Sequence, residues 1–254
     1  MLENSMKSSL VLLLLLPCLA MADSTLTDNI RISSDSLEYD LQYRVYLPDG
    51  YESLQNLPTL YVTDGQGYIR QGRMPRVLDR LINAKRIEPV IAVFVDPRDP
   101  DDNDTNRRTR QFLCNPDYFR FFADELIPTI EQEYPAAGDR QTRTILGLSF
   151  GATNAACFGL MGHEVFSGIG MHSPANHGVP ALLPGYEKAP TLPLKVFLST
   201  GEPNDNTTSN RRFRTLLKEK GYELKYIEVR EDHNWDNWKP LIDDVLLYFY
   251  ETMG

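Results

Sequence analysis

Short apolar runs alternate with segments of helical periodicity along most of this chain. Continuous apolar runs, which fit buried strands, lie at 60–62, 90–95, 144–146, 166–171 and 194–199. Apolar residues at helical spacing lie at 75–85, 116–134, 210–220 and 238–252. Strands that alternate with helices predict an α/β fold, with a mostly parallel central sheet covered by helices on both faces. In such sheets a site lies beyond the carboxyl ends of the strands.

Four other segments complete this pattern. Residues 39–47 alternate apolar and polar and predict a strand with one apolar face, and residues 223–229 predict another strand. Residues 97–111 are acidic and polar, which predicts a solvated loop. Residues 172–193 are rich in proline and glycine, and we expect this stretch to shape a substrate pocket.

The most informative motif is Gly147-Leu148-Ser149-Phe150-Gly151. It follows a short apolar strand and precedes the small residues of 152–156, which can open a helix. This context is typical of a nucleophile elbow, whose turn is so tight that the flanking positions must be nearly free of side chain. The motif predicts that Ser149 is the nucleophile of a serine hydrolase, with an acid and then a histidine later in the chain.

A serine hydroxyl needs a base within hydrogen-bond reach, and that base needs an orienting acid. The chain contains four histidines, of which His233 follows the predicted strand 223–229 and precedes the last predicted helix. That is the place of the histidine in an α/β-hydrolase order. We therefore predict His233 as the base, and His172, which follows the run 166–171, is the rival.

The acid is expected after the predicted strand 194–199, in the loop that contains both Glu202 and Asp205. We favour Asp205, because it lies deeper in the loop and leaves room for one helix and one strand before His233. Glu202 is the alternate acid.

Backbone amides are expected to stabilise the oxyanion that develops on the ester carbonyl. One is the N–H of Phe150, directly after the nucleophile. The other is expected in the loop Thr63-Asp64-Gly65-Gln66-Gly67, which follows the run 60–62, and we assign it to the Gln66 N–H. A plain glycine turn is the alternative interpretation of this loop.

Composition limits the class of function. The chain has 254 residues, 42% of them hydrophobic and 24% charged, which suits one sizeable domain. Its formal net charge of −9 argues against a nucleic-acid partner, because such proteins carry basic surfaces. Serine hydrolysis requires neither a metal ion nor an organic cofactor, and we expect none.

The amino terminus predicts a secretory signal peptide. Lys7 precedes an apolar run at 10–16, and the small-residue pattern Ala20-Met21-Ala22 follows. We expect cleavage after Ala22, a catalytic domain at 23–254, and an exported protein, periplasmic or secreted, without stable membrane insertion. Cys114 and Cys157 then remain, and they either form a disulfide or leave Cys157 unpaired and buried.

Four segments carry a resemblance to a known family: 60–66, 124–128, 147–151 and 233–238. The last, a histidine followed by paired tryptophans, is the most specific. With these segments the chain resembles the enterochelin-esterase-like branch of the esterase D-like α/β-hydrolases, which includes feruloyl esterases, S-formylglutathione hydrolases and mycolyltransferases. The resemblance implies an α/β-hydrolase fold and a triad of Ser149, Asp205 and His233.

The resemblance also implies a small-molecule or carbohydrate-linked ester as the substrate. We expect hydrolysis of a catecholate siderophore ester of the enterobactin type, with Arg108, Trp235 and Trp238 as substrate-binding residues. A feruloyl or acetyl carbohydrate esterase, and an acyltransferase, are the alternatives; a non-catalytic binding protein is disfavoured by the complete triad.

The chain departs from the usual pattern of this family in two ways, which weaken the siderophore assignment more than the hydrolase assignment. Gln111 stands where many relatives carry glutamate three residues after an arginine, here Arg108. We also expect no counterpart of the amino-terminal domain that several siderophore esterases carry.

Overall fold

The structure, a computed structural model, describes residues 24–252, so the predicted signal peptide at 1–22 lies outside the described residues. The strands of the described range are β1 (Thr25–Leu26), β2 (Ile30–Ser34), β3 (Tyr39–Leu47), β4 (Thr59–Val62), β5 (Ile91–Asp96), β6 (Arg143–Leu148), β7 (Gly168–His172), β8 (Lys195–Gly201) and β9 (Glu223–Val229). The helices are α1 (Gly65–Arg70), α2 (Met74–Asn83), α3 (Arg108–Phe112), α4 (Pro116–Arg120), α5 (Ile127–Glu133), α6 (Phe150–Met161), α7 (Leu182–Lys188), α8 (Thr207–Glu219), α9 (Trp235–Trp238) and α10 (Ile242–Tyr250).

The strands form one sheet in the order β1-β3-β5-β4-β6-β7-β8-β9, with β2 also paired to β3. Neighbouring strands from β5 to β9 along this order run parallel, and β3 runs antiparallel to β5, β1 and β2. The predicted α/β class, an α/β-hydrolase fold with a mostly parallel sheet, is confirmed.

Apolar side chains pack on both faces of the sheet. In β4, Tyr61 lies in a cluster with α6 and α8, whereas Leu60 and Val62 lie in a second cluster with α2 and α10. A parallel strand that is buried on both faces needs apolar residues at successive positions, which explains the short continuous apolar runs of the sequence. Strand β3 departs from strict alternation, because Tyr46 on its second face is also buried and its hydroxyl donates to Asp79 at 2.8 Å.

Proline interrupts two of the predicted helices. The helix expected at 116–134 contains a π-helical segment, Phe121–Leu126, just before Pro128. The helix expected at 238–252 begins only at Ile242, as α10, and Pro240 separates it from the short helix α9, which lies almost wholly before the expected start. Because proline has no N–H to donate, each helix must widen or stop where that donor is missing.

Besides α9, three short helices were not predicted: α1 in the glycine turn, α3 at the end of the expected loop 97–111, and α7 inside the stretch 172–193. Each has at most seven residues, which is too short for apolar periodicity to distinguish a helix from a turn.

A disulfide joins Cys114, between α3 and α4, to Cys157 on α6. It ties the segment that carries α3 to the helix that begins at the elbow. Within residues 24–252, no helix is both long enough and apolar enough to cross a membrane.

Candidate active site

Ser149 lies between the end of β6 and the start of α6, with φ 55° and ψ −120°. This backbone conformation is strained for a residue with a side chain and is stable only where the surroundings impose it. A Cβ atom on Gly147 would lie 2.2 Å from the carbonyl carbon of Gly151, and one on Gly151 would lie 2.7 Å from Thr63 Oγ1. Both glycines are therefore required for the sharp turn.

Three side chains form one hydrogen-bonded chain at this turn. His233 Nε2 lies 2.8 Å from Ser149 Oγ, and His233 Nδ1 lies 2.6 Å from Asp205 Oδ1. With Nδ1–H donating to the carboxylate, Nε2 carries a free lone pair toward the serine hydroxyl. The arrangement places an acceptor where it can remove the proton of Ser149.

The carboxylate of Asp205 is fully buried, and several hydrogen-bond donors surround it. Its Oδ2 accepts from Ser173 Oγ and Gly201 N, both at 2.5 Å, and Oδ1 accepts from Asn206 N at 2.6 Å. Burial by itself raises the pKa of Asp205, but the hydrogen bonds from His233, Ser173, Gly201 and Asn206 outweigh it and lower the pKa to about 2. Asp205 is therefore ionised at neutral pH.

Two backbone N–H groups lie at the starts of helices, next to the hydrogen-bonded side chains of Ser149, His233 and Asp205. Phe150 is the first residue of α6 and Gln66 is the second residue of α1, positions whose N–H groups have no acceptor within the helix. Helix α1 begins within three residues of the end of β4, and its first residue, Gly65, packs closely against β5; a Cβ there would lie 2.5 Å from the Phe94 backbone. The two amides are available for an anion at the helix termini.

The guanidinium of Arg108 connects the two segments that carry these amides. Its Nε and Nη2 donate to Asp64 at 2.8 and 2.9 Å, and Nη2 also donates to the Leu148 carbonyl oxygen at 3.2 Å. Asp64 directly precedes α1, and Leu148 directly precedes Ser149. Arg108 thus fixes the start of α1 relative to the elbow.

A cavity of about 510 Å³ opens above Ser149 and His233. Its lining includes Gln66, Trp235 and the three arginines Arg70, Arg98 and Arg108. A smaller cavity of about 210 Å³ adjoins it and shares Gln66, Arg70 and Arg98. The size is that of a small-molecule site, and the lining combines these arginines with the carboxylate of Asp64.

The family model described as "Putative esterase" matches residues 34–249, which include the elbow, Asp205 and His233. The chain belongs to this esterase family. It is accordingly an ester-hydrolysing enzyme, acting on carboxylic esters.

This esterase matches one curated relative over nearly its whole length and two others over a smaller part. YjcH of Bacillus subtilis (strain 168) is 30% identical over 225 residues, which cover 84% of this chain and 92% of YjcH. The endo-1,4-β-xylanase/feruloyl esterase of Xylanibacter ruminicola is 24% identical over 78% of this chain, and the iron(III) enterobactin esterase of Escherichia coli (strain K12) is 28% identical over 46%. The matched region covers only 28% of each of these two proteins.

Solved structures share the fold of the esterase. A ferulic acid esterase superposes with a TM-score of 0.79 at 19% identity, over 91% of this chain and 98% of that one. The enterobactin esterase of Shigella flexneri, crystallised in the presence of enterobactin, superposes with a TM-score of 0.77 at 19% identity, over 87% of this chain and 58% of that one. Both likenesses support the α/β-hydrolase-type fold.

Neither rival of the predicted triad residues reaches the hydrogen-bonded chain. Glu202 is exposed and pairs with Arg211 at 3.1 Å. His172 is buried, and its Nδ1 lies 3.0 Å from Ser199 Oγ. Burial lowers the pKa of His172 to about 3, so its ring is neutral. Only its backbone serves the elbow, since the His172 carbonyl accepts the Ser149 N–H at 2.9 Å.

All three predicted substrate-binding residues border the cavity, but two of them also contact residues of the site. Trp235 lines the cavity and packs edge-on against Tyr68, with Gly67 leaving room for its ring. Trp238 also borders the cavity but is largely buried, and its ring lies edge-on to His233 at 5.0 Å. Arg108 borders the cavity while its guanidinium holds Asp64.

Sequence reasoning missed Arg70 and Arg98, which line the cavity. Arg107 and Arg110, which lie near Arg108 in sequence, instead contact the ring of Tyr39. Had α1 been recognised as a helix, the spacing of four residues would have placed Arg70 on the same face as Gln66. Arg98 follows β5 after one residue and had no such signal.

Proposed function

We propose that this chain is an exported serine esterase in which Ser149, His233 and Asp205 form the catalytic triad. The observation that supports this most directly is the continuous hydrogen-bonded chain from Ser149 Oγ through His233 to Asp205, at a strained elbow. Hydrolysis of a p-nitrophenyl short-chain ester by the wild type and by Ser149→Ala separates this proposal from a ligand-binding role.

In the proposed mechanism, His233 Nε2 removes the proton of Ser149 as Oγ attacks the ester carbonyl carbon. Asp205 holds the imidazole in the required tautomer and stabilises its positive charge. The N–H groups of Phe150 and Gln66 donate to the developing oxyanion. His233 then protonates the leaving alcohol, and a water molecule, activated in the same way, releases the acyl group from Ser149.

Export is supported by the signal-peptide pattern at 1–22 and by the Cys114–Cys157 disulfide. Disulfides persist in oxidising compartments and are rare in the cytosol. A periplasmic or secreted location accounts for both features.

The intact mass of the isolated protein tests export and disulfide together. We expect the mass to match residues 23–254, and to rise by two hydrogens on reduction because one disulfide opens. A Cys114→Ser variant, as the control, is expected to show no change on reduction. Retention of the full chain in the cytoplasm would contradict export, and an unchanged wild-type mass on reduction would contradict the disulfide.

For the substrate, we propose an aromatic ester that carries anionic phenolate groups, as in a catecholate siderophore. The support is Arg70, which lines the cavity and makes no ion pair within residues 24–252, together with a relative and a fold neighbour named as enterobactin esterases. The ionised oxygens of a catecholate are suitable acceptors for guanidinium groups.

A feruloyl or acetyl carbohydrate ester is the second candidate. It is favoured by the Trp235 ring at the cavity, and by a feruloyl esterase relative that matches 78% of the chain. The kcat/KM values for ferric enterobactin, a feruloyl sugar ester and an acetyl sugar ester decide between the candidates, and we expect the largest value for ferric enterobactin.

Arg70 provides a sharper test of an anionic substrate. Within residues 24–252 Arg98 pairs with Asp96 and Arg108 with Asp64, whereas Arg70 makes no ion pair in that range. Because this charge is uncompensated, Arg70→Gln is expected to raise KM about fivefold for an aryl ester bearing a carboxylate, and to leave KM for the neutral analogue unchanged.

The matched control is Arg110→Gln, since Arg110 is also exposed but lies outside the cavity lining. We expect it to leave both KM values unchanged. Equal changes in KM for the charged and neutral esters of Arg70→Gln, or no change for either, would contradict a charge-recognition role.

A further inference from the structure

Ser173 occupies an unusual position directly beyond the carboxyl end of β7. It is completely buried, and its φ is +51°, in the left-handed region that residues with side chains rarely adopt. Its N–H donates to the Ser199 carbonyl at 2.9 Å. Such a conformation persists only where the surroundings impose it, and it is concentrated at functional sites.

The hydroxyl of Ser173 has three partners, and their chemistry fixes the direction of its proton. Trp238 Nε1 lies 3.0 Å from Ser173 Oγ, and Asn237 Nδ2 lies 3.2 Å from it. Indole and amide N–H groups can only donate, so they occupy the two lone pairs of the hydroxyl. The one remaining partner is Asp205 Oδ2 at 2.5 Å, and the Ser173 proton must point to it.

The orientation of the Asn237 amide is fixed in the same way. Its Nδ2 also faces Asp205 Oδ2 at 3.1 Å and the Asp232 carbonyl oxygen at 3.2 Å. Both oxygens can only accept, so the NH₂ group must be the one that faces them. Its two hydrogens face three acceptors, Ser173 Oγ included, so one N–H is shared between two of them.

Resting on the catalytic triad proposed above, we propose that Ser173 is a positioning residue that sets the charge distribution of Asp205. Trp238 and Asn237 hold its hydroxyl in a single orientation, and this hydroxyl directs one strong hydrogen bond to Oδ2. The negative charge of Asp205 is thereby shared with Oδ2, and Oδ1 remains for His233 and the Asn206 N–H. The Trp238 indole thus serves the site twice, with its N–H on Ser173 and its ring against His233.

Loss of the Ser173 hydroxyl has a defined electrostatic consequence. Negative charge then concentrates on Oδ1, beside His233, and stabilises the protonated imidazole, which cannot act as a base. The acidic midpoint of the pH profile of kcat/KM is therefore expected to move upward.

Replacing Ser173 with alanine leaves the charged groups around Asp205 and His233 unchanged. All hydrogen-bond partners of Asp205 other than His233 are uncharged. The charged groups that border the His233 cavity, or lie within three residues of His233 in sequence, are Asp64, Arg70, Arg98, Arg108, Arg230, Glu231, Asp232 and Asp236. A shift of the midpoint in Ser173→Ala therefore reports on the contact between Ser173 and Asp205.

The experiment measures the pH profile of kcat/KM for a p-nitrophenyl ester with the wild type and Ser173→Ala. We expect an upward shift of the acidic midpoint. At pH values above this midpoint we also expect a loss in kcat of about tenfold, because the hydrogen bond that holds the Asp205 carboxylate in place beside His233 is lost, and an unchanged KM. The matched control is Ser199→Ala, which removes an equally buried hydroxyl whose partner is His172 instead of Asp205. Its midpoint is expected to stay at the wild-type value.

Trp238→Phe is the second variant, because it keeps an aromatic ring at this position and removes the indole N–H that Ser173 accepts. We expect a smaller upward shift of the midpoint, since the Ser173 hydroxyl is then free to rotate. An unchanged midpoint in either variant, with Ser149→Ala inactive, would overturn the role of Ser173 and leave the triad intact. Full activity of Ser149→Ala would instead overturn the proposed function itself.

Discussion

Replacing Ser149 with alanine is expected to lower kcat/KM for a p-nitrophenyl short-chain ester by about 10⁴-fold or more. The substitution removes the atom that attacks the carbonyl, while Phe150 and Gln66 can still bind the oxygen. The residual rate would then come from the amides and the cavity alone. Initial-rate kinetics of the purified variant measure the loss.

The fold of this variant is expected to remain intact, because alanine at φ 55° carries the same backbone strain as serine. An unchanged melting temperature serves as the check. A fluorophosphonate probe is expected to label the wild type at Ser149 and to leave the variant unlabelled. Ser167→Ala, whose hydroxyl donates to the Gln141 carbonyl away from the cavity, is the control and should keep wild-type kinetics. Substantial activity in pure Ser149→Ala would refute the assigned nucleophile.

Asp205→Asn is expected to lower kcat by about 10⁴-fold with little change in shape. More donors face Oδ2 than Oδ1, among them Ser173 Oγ and Gly201 N. The asparagine carbonyl is therefore expected to take the Oδ2 position, and its NH₂ would face His233 Nδ1. The imidazole then carries its proton on Nε2, which faces Ser149, and it cannot accept the serine proton.

The matched control for Asp205→Asn is Glu202→Gln in the same loop. Glu202 is exposed and bound to Arg211, so its neutralisation is expected to leave kcat within about twofold of the wild type. The two kcat values, measured with the same ester, decide the identity of the acid. A large loss in Glu202→Gln with Asp205→Asn near the wild type would reverse the assignment.

Much of the fold was predictable because the pattern is local. The boundaries of β3 and β9 match the predicted segments, since each segment ends at a clear change of polarity or at a turn. Helix α1 was not predictable in this way. It has six residues, and it depends on the close approach of Gly65 to the β5 backbone, a contact between segments far apart in sequence.

The cavity was harder to predict than the elbow. Arg107, Arg108 and Arg110 look equivalent in the sequence, yet only Arg108 borders the cavity. Arg107 and Arg110 instead contact the ring of Tyr39, on a strand that pairs with β5. The direction of each side chain depends on the turn geometry around α3 and on what lies opposite, which neither periodicity nor composition specifies.

The sequence by itself determined the α/β class, the elbow around Ser149 and the order of acid and histidine after it. These features are encoded within a few neighbouring residues, because backbone sterics at Gly147 and Gly151 and the polarity of short runs act locally. The tertiary structure decided which carboxylate meets His233, how Arg108 is used, and that Cys114 lies beside Cys157. Those outcomes depend on the register of parallel strands, which brings loops far apart in sequence to one edge of the sheet.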